Sequence, residues 1–233
     1  MIIPRRYNGP PDSANGGYTC GLVAGLLGGT AEVTLRRPPP LERELEVALE
    51  LDGTEVELRD GDAVVAEGRV VEWELEVPAP VSVEEAEAAS RRYSGFEAHA
   101  YETCFTCGPA RDDGLGVYAG PVEGRPGVVA SPWTPAGEVR PEIVWAALDC
   151  PSGWAVDDFQ REGVLLGRMA AHLLRLPEAG APHVVLGWRI GEDGRKRYAS
   201  SALFTKEGDL VASSRSTWLV PARLTGRDPA PAA

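Results

Sequence analysis

Hydrophobic and polar residues alternate along much of the N-terminal half of the chain, as is typical of antiparallel strands. The alternation at residues 45–49 predicts a half-buried strand, and residues 56–58 continue it after a turn. A strand is also predicted at residues 31–35, and one long strand or two at residues 63–75. Together these segments predict an antiparallel sheet built from hairpins.

Three segments are predicted to be helices. Residues 19–27 are apolar, follow a glycine-rich start and end at a Gly-Gly pair. Residues 82–92 open with the Ser-x-x-Glu sequence of a capping box. The apolar segment 145–155 predicts a third helix, in which Pro151 implies either a kink or a late helix start.

The C-terminal half is predicted to add further strands. Residues 164–176 are largely apolar and fit either a strand or a helix. Glycine-containing turns separate the other segments. Strands are predicted at residues 114–118, 127–130, 183–190, 197–205 and 210–220.

A helix followed by antiparallel strands occurs twice in this prediction, which indicates an internal repeat. The Gly-Asp turn at residues 61–62 and the segment after it parallel residues 208–209 and their following segment, with a one-residue gap and a matching arginine. We therefore divide the chain at a helical linker. The predicted units are an N-terminal half at 1–78, the linker at 79–98, a C-terminal half at 99–222 and a tail at 223–233.

Composition narrows the class of protein. The 233 residues carry a net charge of −12, and such a surface repels phosphate backbones, so no nucleic acid partner is predicted. No apolar run reaches about 18 residues, the length that spans a membrane. The N-terminus has no apolar core of signal-peptide length, so we expect a cytoplasmic protein. Four cysteines do not indicate a disulfide scaffold.

A single carboxylate, Asp149, lies in the apolar segment between Trp145 and Trp154. Buried in an apolar pocket, its pKa would rise and it would become a candidate base or nucleophile. Asp149 is equally suited to cap a helix that begins near Pro151, because aspartate is a favoured N-cap and proline a favoured first residue. Both interpretations remain open at the level of sequence.

Three motifs, taken together and in this order, resemble a known group of proteins. They are Asn15 to Tyr18 before an apolar helix, the Cys-Phe-Thr-Cys-Gly-Pro sequence at 104–109 with Gly-Leu at 114–115, and Ala-Leu-Asp at 147–149. The combination resembles the double-hotdog acyl-CoA thioesterase-like superfamily, of the thioesterase II and phenylacetate-pathway types. The resemblance implies an α+β double hotdog, with two helix-wrapped antiparallel sheets forming an internal pseudo-dimer.

The resemblance also implies an activity, the hydrolysis of acyl-CoA or related thioesters at the interface of the two halves. Asp149 would act as base or nucleophile, and Asn15 would orient the thioester carbonyl or a water. Thr217 is a partner by order alone, with Ser214 and Ser216 as alternatives. The His-Gly-Gly sequence that precedes the acid in the phenylacetate-pathway type is absent here, and no glutamine aligns. The alternative is a non-catalytic hotdog protein that binds an acyl or CoA ligand.

Substrate-binding residues are predicted on the same basis. Tyr18, Trp145 and Trp154 are candidates for the acyl pocket, although large aromatic residues are more often ordinary core. Arg195 and Lys196 belong to the only run of three basic residues, and they could contact the phosphates of coenzyme A or simply form a solvated turn. The predicted partner is an acyl-CoA, bound by a monomeric pseudo-dimer whose further homodimerisation is left open.

A cysteine pair offers a second kind of chemistry. Cys104 and Cys107 have the C-x2-C spacing of zinc sites, and His99 precedes them by five residues. A fourth ligand is missing locally, and the resemblance implies instead an entry strand with semi-buried cysteines, which is the interpretation we favour over a metal site. No resident metal or cofactor is therefore predicted.

Overall fold

The computed structural model describes residues 1–156 and 163–221, and its strands form one ten-stranded antiparallel sheet. The predicted tail at 223–233 lies outside these residues. The strands are β1 Ala31–Leu35, β2 Glu46–Leu49, β3 Glu55–Asp60, β4 Ala63–Val70, β5 Gly120–Pro121, β6 Val128–Trp133, β7 Leu165–Leu173, β8 His183–Asp193, β9 Lys196–Thr205 and β10 Leu210–Leu219. The α-helices are α1 Gly16–Ala24, α2 Val83–Ser90 and α3 Pro141–Trp154.

Both halves of the chain share this sheet, whose order is β2-β3-β4-β1-β7-β10-β9-β8-β6-β5. The two antiparallel sheets expected of the two halves are thus joined into one, because β1 pairs with β7 through four residue pairs from Ala31–Ala171 to Thr34–Arg168. An ion pair crosses this seam, since Oε1 of Glu32 on β1 lies 3.7 Å from Arg168 on β7, and the same oxygen lies 2.7 Å from Arg69 on β4. Outward from the seam, β1-β4-β3-β2 and β7-β10-β9-β8 follow the same order.

Helices α1 and α3 pack against each other over one face of the sheet, and glycines on α1 allow the contact. A Cβ on Gly17 would lie 2.7 Å from the carbonyl oxygen of Trp145, and one on Gly21 would lie 2.9 Å from Cβ of Glu142. Real Cβ atoms do not approach neighbours so closely, so any larger residue would separate the helices. The backbone of α1 is thereby held directly against the side chains of α3.

Helix α3 begins earlier than the apolar pattern predicts, because Pro141 occupies its first turn, where a proline costs no hydrogen bond. Asp149 therefore lies inside the helix, and the interpretation of Asp149 as the N-cap of a helix near Pro151 is wrong. Pro151 also lies within the helix, although it has no N–H to donate. Ser201 on the sheet donates to the Leu148 carbonyl at 2.6 Å, so a strand hydroxyl supplements the backbone bonds there.

The linker helix α2 has the predicted capping box, in which Ser82 and Glu85 each accept the other's backbone N–H. Ala86 and Ala89 are its buried residues, and they join a small second core with residues of β6, β8 and β9. In the described parts of the chain, none of the helices is long and apolar enough to cross a membrane.

Other predicted elements are partly corrected. Residues 164–176, left open between strand and helix, form strand β7. Residues 114–118 form no strand; they lie in a long segment without regular secondary structure. Strand β2 is exposed at all four positions rather than half-buried, because it lies at the sheet edge and its apolar neighbour Leu45 turns into the core just before it.

Candidate functional site

A cavity of about 470 Å³ opens where the start of α1, the middle of α3 and the end of β10 meet. Asn15 and Gly16 line it from α1, Asp149 from α3 and Trp218 from β10. A proline-rich segment, residues 36–39, closes another side. The cavity thus lies between elements from both halves of the chain. It brings together Asn15 and Asp149, the two residues that the sequence predicts to act on the same substrate.

Asp149 is 2% exposed and holds the start of α1. The backbone N–H of Gly17 donates to its Oδ2 at 2.9 Å. Its Oδ1 is buried and has no hydrogen-bond partner within residues 1–156 and 163–221. A carboxylate anchored through one oxygen, with the other left unpaired beside a cavity, is suited to act on a bound molecule.

Burial raises the pKa of Asp149 to about 7, although the Gly17 N–H and the Asn15 side chain oppose the shift. Burial dominates because the ionised carboxylate loses most of its hydration inside the apolar segment of α3. The positive end of the α1 dipole adds to the stabilisation of the charge. The group can therefore accept or release a proton near neutral pH.

Helix α1 begins at the wall of the cavity. Asn15 is the N-cap, and its Oδ1 accepts the Tyr18 N–H at 2.8 Å. Asp149 accepts the Gly17 N–H, whereas the Gly16 N–H has no acceptor among the described residues. Since Gly16 lines the cavity, its N–H is a candidate donor to a ligand.

Trp218 forms a wall of the cavity that sequence reasoning missed. Its Nε1 donates to Ser152 Oγ at 2.9 Å, and Ser152 Oγ donates to the carbonyl oxygen of Asp149 at 2.7 Å. The wall is thereby connected to the helix turn that carries the acid. The alternation of β10 was the available signal, because Trp218 shares a buried face with Ser216.

Three predicted pocket aromatics pack elsewhere and do not line this cavity. Tyr18 stacks on Tyr7 with ring centroids 3.9 Å apart. Trp154 packs edge-on against Tyr93, with centroids 4.6 Å apart, and Trp145 is buried against α1. These residues shape the core around the site rather than the space within it.

Thr217 also lies outside the cavity lining. It is half-buried and follows Ser216, so strand alternation turns its side chain away from the face that α3 covers. Ser216, the alternative partner, is on the covered face, and its buried Oγ has no hydrogen-bond partner in the described chain.

The basic residues near the cavity differ from those predicted. Arg195 and Lys196 lie at the β8–β9 turn and do not line it, although Lys196 pairs with the lining residue Leu219. Arg36 and Arg37, next to the prolines, line it instead. Their sequence context looks like a simple strand terminator, so tertiary packing alone reveals this position.

The cysteine pair lies in turns rather than in an opening strand, so that structural interpretation is wrong. Cys150, one residue after the acid on α3, reaches both Cys104 and Cys107, and the three Sγ atoms all lie within 4.8 Å of one another. Sequence reasoning missed Cys150 because it is 43 or more positions away. These three cysteines are the residues beside the cavity whose side chains could bind a metal ion.

Comparison with known proteins establishes the fold first. No protein-family model matches the chain, and no curated protein sequence does. Among solved structures, it is similar to a protein of unknown function with a hot dog fold from Alicyclobacillus acidocaldarius, at 11% identity and a TM-score of 0.65, over 94% of this chain and 91% of that one. The chain therefore has the hotdog fold.

Two further similar structures come from mycobacteria. One is an acyl-CoA thioesterase II from Mycobacterium marinum, 13% identical with a TM-score of 0.56, covering 95% of this chain and 93% of that one. Another is the tesB protein of Mycobacterium avium subs paratuberculosis, 16% identical with a TM-score of 0.58, covering 95% and 91%. The hotdog fold that the predicted resemblance implies is confirmed.

Proposed function

We propose that this protein hydrolyses acyl-CoA thioesters, with Asp149 as the base that activates water. The observation that carries the proposal is geometric: Asp149 lines a cavity, is anchored through Oδ2 to the Gly17 N–H, and keeps Oδ1 unpaired. Acyl-CoA as the substrate class rests on the thioesterase II structures of the same fold.

The proposed reaction uses few groups. Water attacks the thioester carbonyl while Asp149 Oδ1 takes its proton, and the carbonyl oxygen becomes an oxyanion that accepts the Gly16 N–H. The C–S bond then breaks, and the proton held by Asp149 passes to the leaving sulfur. The products are the carboxylic acid and the free thiol. Asn15 is a positioning residue in this scheme, because its side chain fixes the first turn of α1.

A panel of acyl-CoAs of different chain lengths, with colorimetric detection of the released thiol, tests this function. Wild-type protein is expected to release thiol from at least one member faster than the enzyme-free control. Absence of hydrolysis across the panel, together with a melting temperature raised by acyl-CoA, would instead establish the binding protein. The two functions therefore give different results in one set of samples.

We also propose that Arg37 contacts a phosphate of coenzyme A at the cavity mouth. Its guanidinium is exposed and has no ion pair in the described residues, whereas Arg36 is paired with Glu67 at 2.6 Å. Arg195 and Lys196 would contact only a part of coenzyme A that extends past Leu219. An exposed charge contact of this kind is worth up to about 1 kcal/mol.

Replacing Arg37 with alanine is expected to raise KM for acyl-CoA by about two- to fivefold at unchanged kcat, because about 1 kcal/mol of uniform binding is lost. KM for the matching N-acetylcysteamine thioester, which has no phosphate, is expected to stay constant. Arg91→Ala, an exposed arginine at the end of α2, is the matched control. Equal changes in KM for both substrates would show that Arg37 does not contact the phosphate.

The strand order supports one further proposal, an internal duplication with the boundaries 1–78 and 99–222. The repeated turns at 61–62 and 208–209 occupy equivalent positions, directly before β4 and β10. In each half a helix precedes four strands whose order from the seam is the same. Two hotdogs in one chain would supply internally the pair that single hotdogs form as dimers.

A further inference from the structure

Three cysteine sulfurs form a compact buried cluster beside the cavity. Cys104 and Cys107 come from the turn-rich segment after α2, and Cys150 comes from α3. Their Sγ atoms all lie within 4.8 Å of one another, and those of Cys104 and Cys150 are 3.7 Å apart. All three residues are at most 4% exposed.

The spacing of the sulfurs fits a single metal ion. Zinc–thiolate bonds are about 2.3 Å long, so two sulfurs on one tetrahedral ion are separated by about 3.8 Å. The 3.7 Å between Cys104 and Cys150 agrees with that edge, and the 4.8 Å limit leaves only a small contraction for the third sulfur.

Hydrogen-bond donors surround the sulfurs, as they surround metal-bound thiolates. Asn15 Nδ2 donates to Cys104 Sγ at 3.7 Å. An N–H donor of this kind stabilises thiolate charge.

His99 lies beside Cys107, the third cysteine of the cluster. Its Nδ1 accepts the Tyr101 N–H at 2.9 Å, so Nε2 carries the ring proton and donates to Cys107 Sγ at 3.4 Å. In this arrangement His99 supports the sulfur rather than binding the ion directly. The donor set is thus three sulfurs, with a further coordination position available on the cavity side, which Cys104 and Cys150 line.

We propose that Cys104, Cys107 and Cys150 bind one thiophilic d¹⁰ metal ion, Zn²⁺ or Cu⁺. Soft thiolate ligands select these ions, and one cation offsets the charge that three buried thiolates would otherwise carry unpaired. The ion would tie the segment after α2 to α3 directly beside Asp149. This proposal does not rest on the proposed hydrolysis.

Metal content of the full-length protein tests the proposal. Protein purified under reducing, oxygen-free conditions is loaded with Zn²⁺ or with Cu⁺, desalted and analysed by mass spectrometry of the elements. We expect about one ion per chain in one of the two arms, and absorption spectroscopy at the metal edge to show sulfurs at about 2.3 Å. The arm that retains its ion through desalting identifies the metal.

Matched variants locate the site. Cys104→Ser and Cys150→Ser are expected to lose most of the bound ion, whereas Cys20→Ser, a fully buried cysteine outside the cluster, is expected to retain it. Cobalt substitution provides a second readout, since wild type and Cys20→Ser should show thiolate-to-cobalt charge-transfer bands that the cluster variants weaken.

Three results would overturn the proposal. The first is wild-type protein that retains neither ion after loading, and the second is a bound ion whose ligands are nitrogen and oxygen only. The third is equal metal content in Cys20→Ser and the cluster variants. The first two are measured on wild type, so they decide the question even where a serine variant fails to fold.

Discussion

Replacing Asp149 with asparagine is expected to lower kcat/KM for acyl-CoA hydrolysis by about 10²- to 10⁴-fold, the usual contribution of a positioned base. Asparagine keeps the shape of the side chain and an oxygen for the Gly17 N–H, but it cannot take a proton from water. The fold should remain, because a neutral amide removes the cost of burying a charge. Steady-state thiol release, with thermal denaturation of the same samples, measures both effects.

Asp12 provides the matched control for this substitution. It is the other carboxylate that lines the cavity, but it is exposed and makes no bond to α1. Asp12→Asn should therefore retain nearly all of the activity. Wild-type rates for Asp149→Asn, in protein with an unchanged melting temperature, would remove Asp149 from the reaction while leaving any hydrolysis to be explained by another group.

Replacing Gly17 with alanine is expected to damage both stability and activity. The added Cβ would lie 2.7 Å from the Trp145 carbonyl oxygen and 3.0 Å from Asp149 Cγ, so α1 and α3 must separate. Overpacking of this kind costs about 1–3 kcal/mol, which lowers Tm by about 2–12 °C in a chain of this size. Because the Gly17 N–H anchors the acid, a displacement of about 1 Å should also cost about 10²-fold in kcat/KM.

Gly25→Ala, at the C-cap of α1, separates the helix contact from a general effect of a glycine-to-alanine change in this region. Gly25 has ordinary helical angles, with φ −63° and ψ −13°, and its surroundings leave an added Cβ at least 3.4 Å from the nearest atom. This variant should match wild type in both Tm and kinetics. A Gly17→Ala protein as stable and active as Gly25→Ala would show that the two helices can repack without cost.

Much of the fold was predictable because periodicity reports local structure. The alternation at residues 31–35 and the hairpin at 197–220 became β1, β9 and β10 close to their predicted bounds. The start of α3 was missed because Pro141 and its charged neighbours do not look apolar, although a proline is favourable in a first helical turn. Edge position, which leaves β2 exposed, is a property of the sheet and not of the strand sequence.

The candidate site was predictable only in part. Asp149 and Asn15 stood out because each is a polar residue beside an apolar helix, and the structure places both at one cavity. Trp218 gave only the alternation of its strand, and Arg37 and Cys150 gave no comparable signal, because their positions depend on how α1, α3 and β10 pack. Those contacts join residues far apart in sequence, which periodicity does not describe.

The bond between the Gly17 N–H and Asp149 spans 132 residues, with its donor in the first half of the chain and its acceptor in the second. During synthesis the α1 end therefore emerges long before the acid that it will hold. A nascent or proteolytically truncated chain that lacks α3 keeps the N-terminus of α1 but has no Asp149 carboxylate to accept the Gly17 N–H. Under the proposed function, such fragments are inert towards thioesters, and activity begins only when the last strands join the shared sheet.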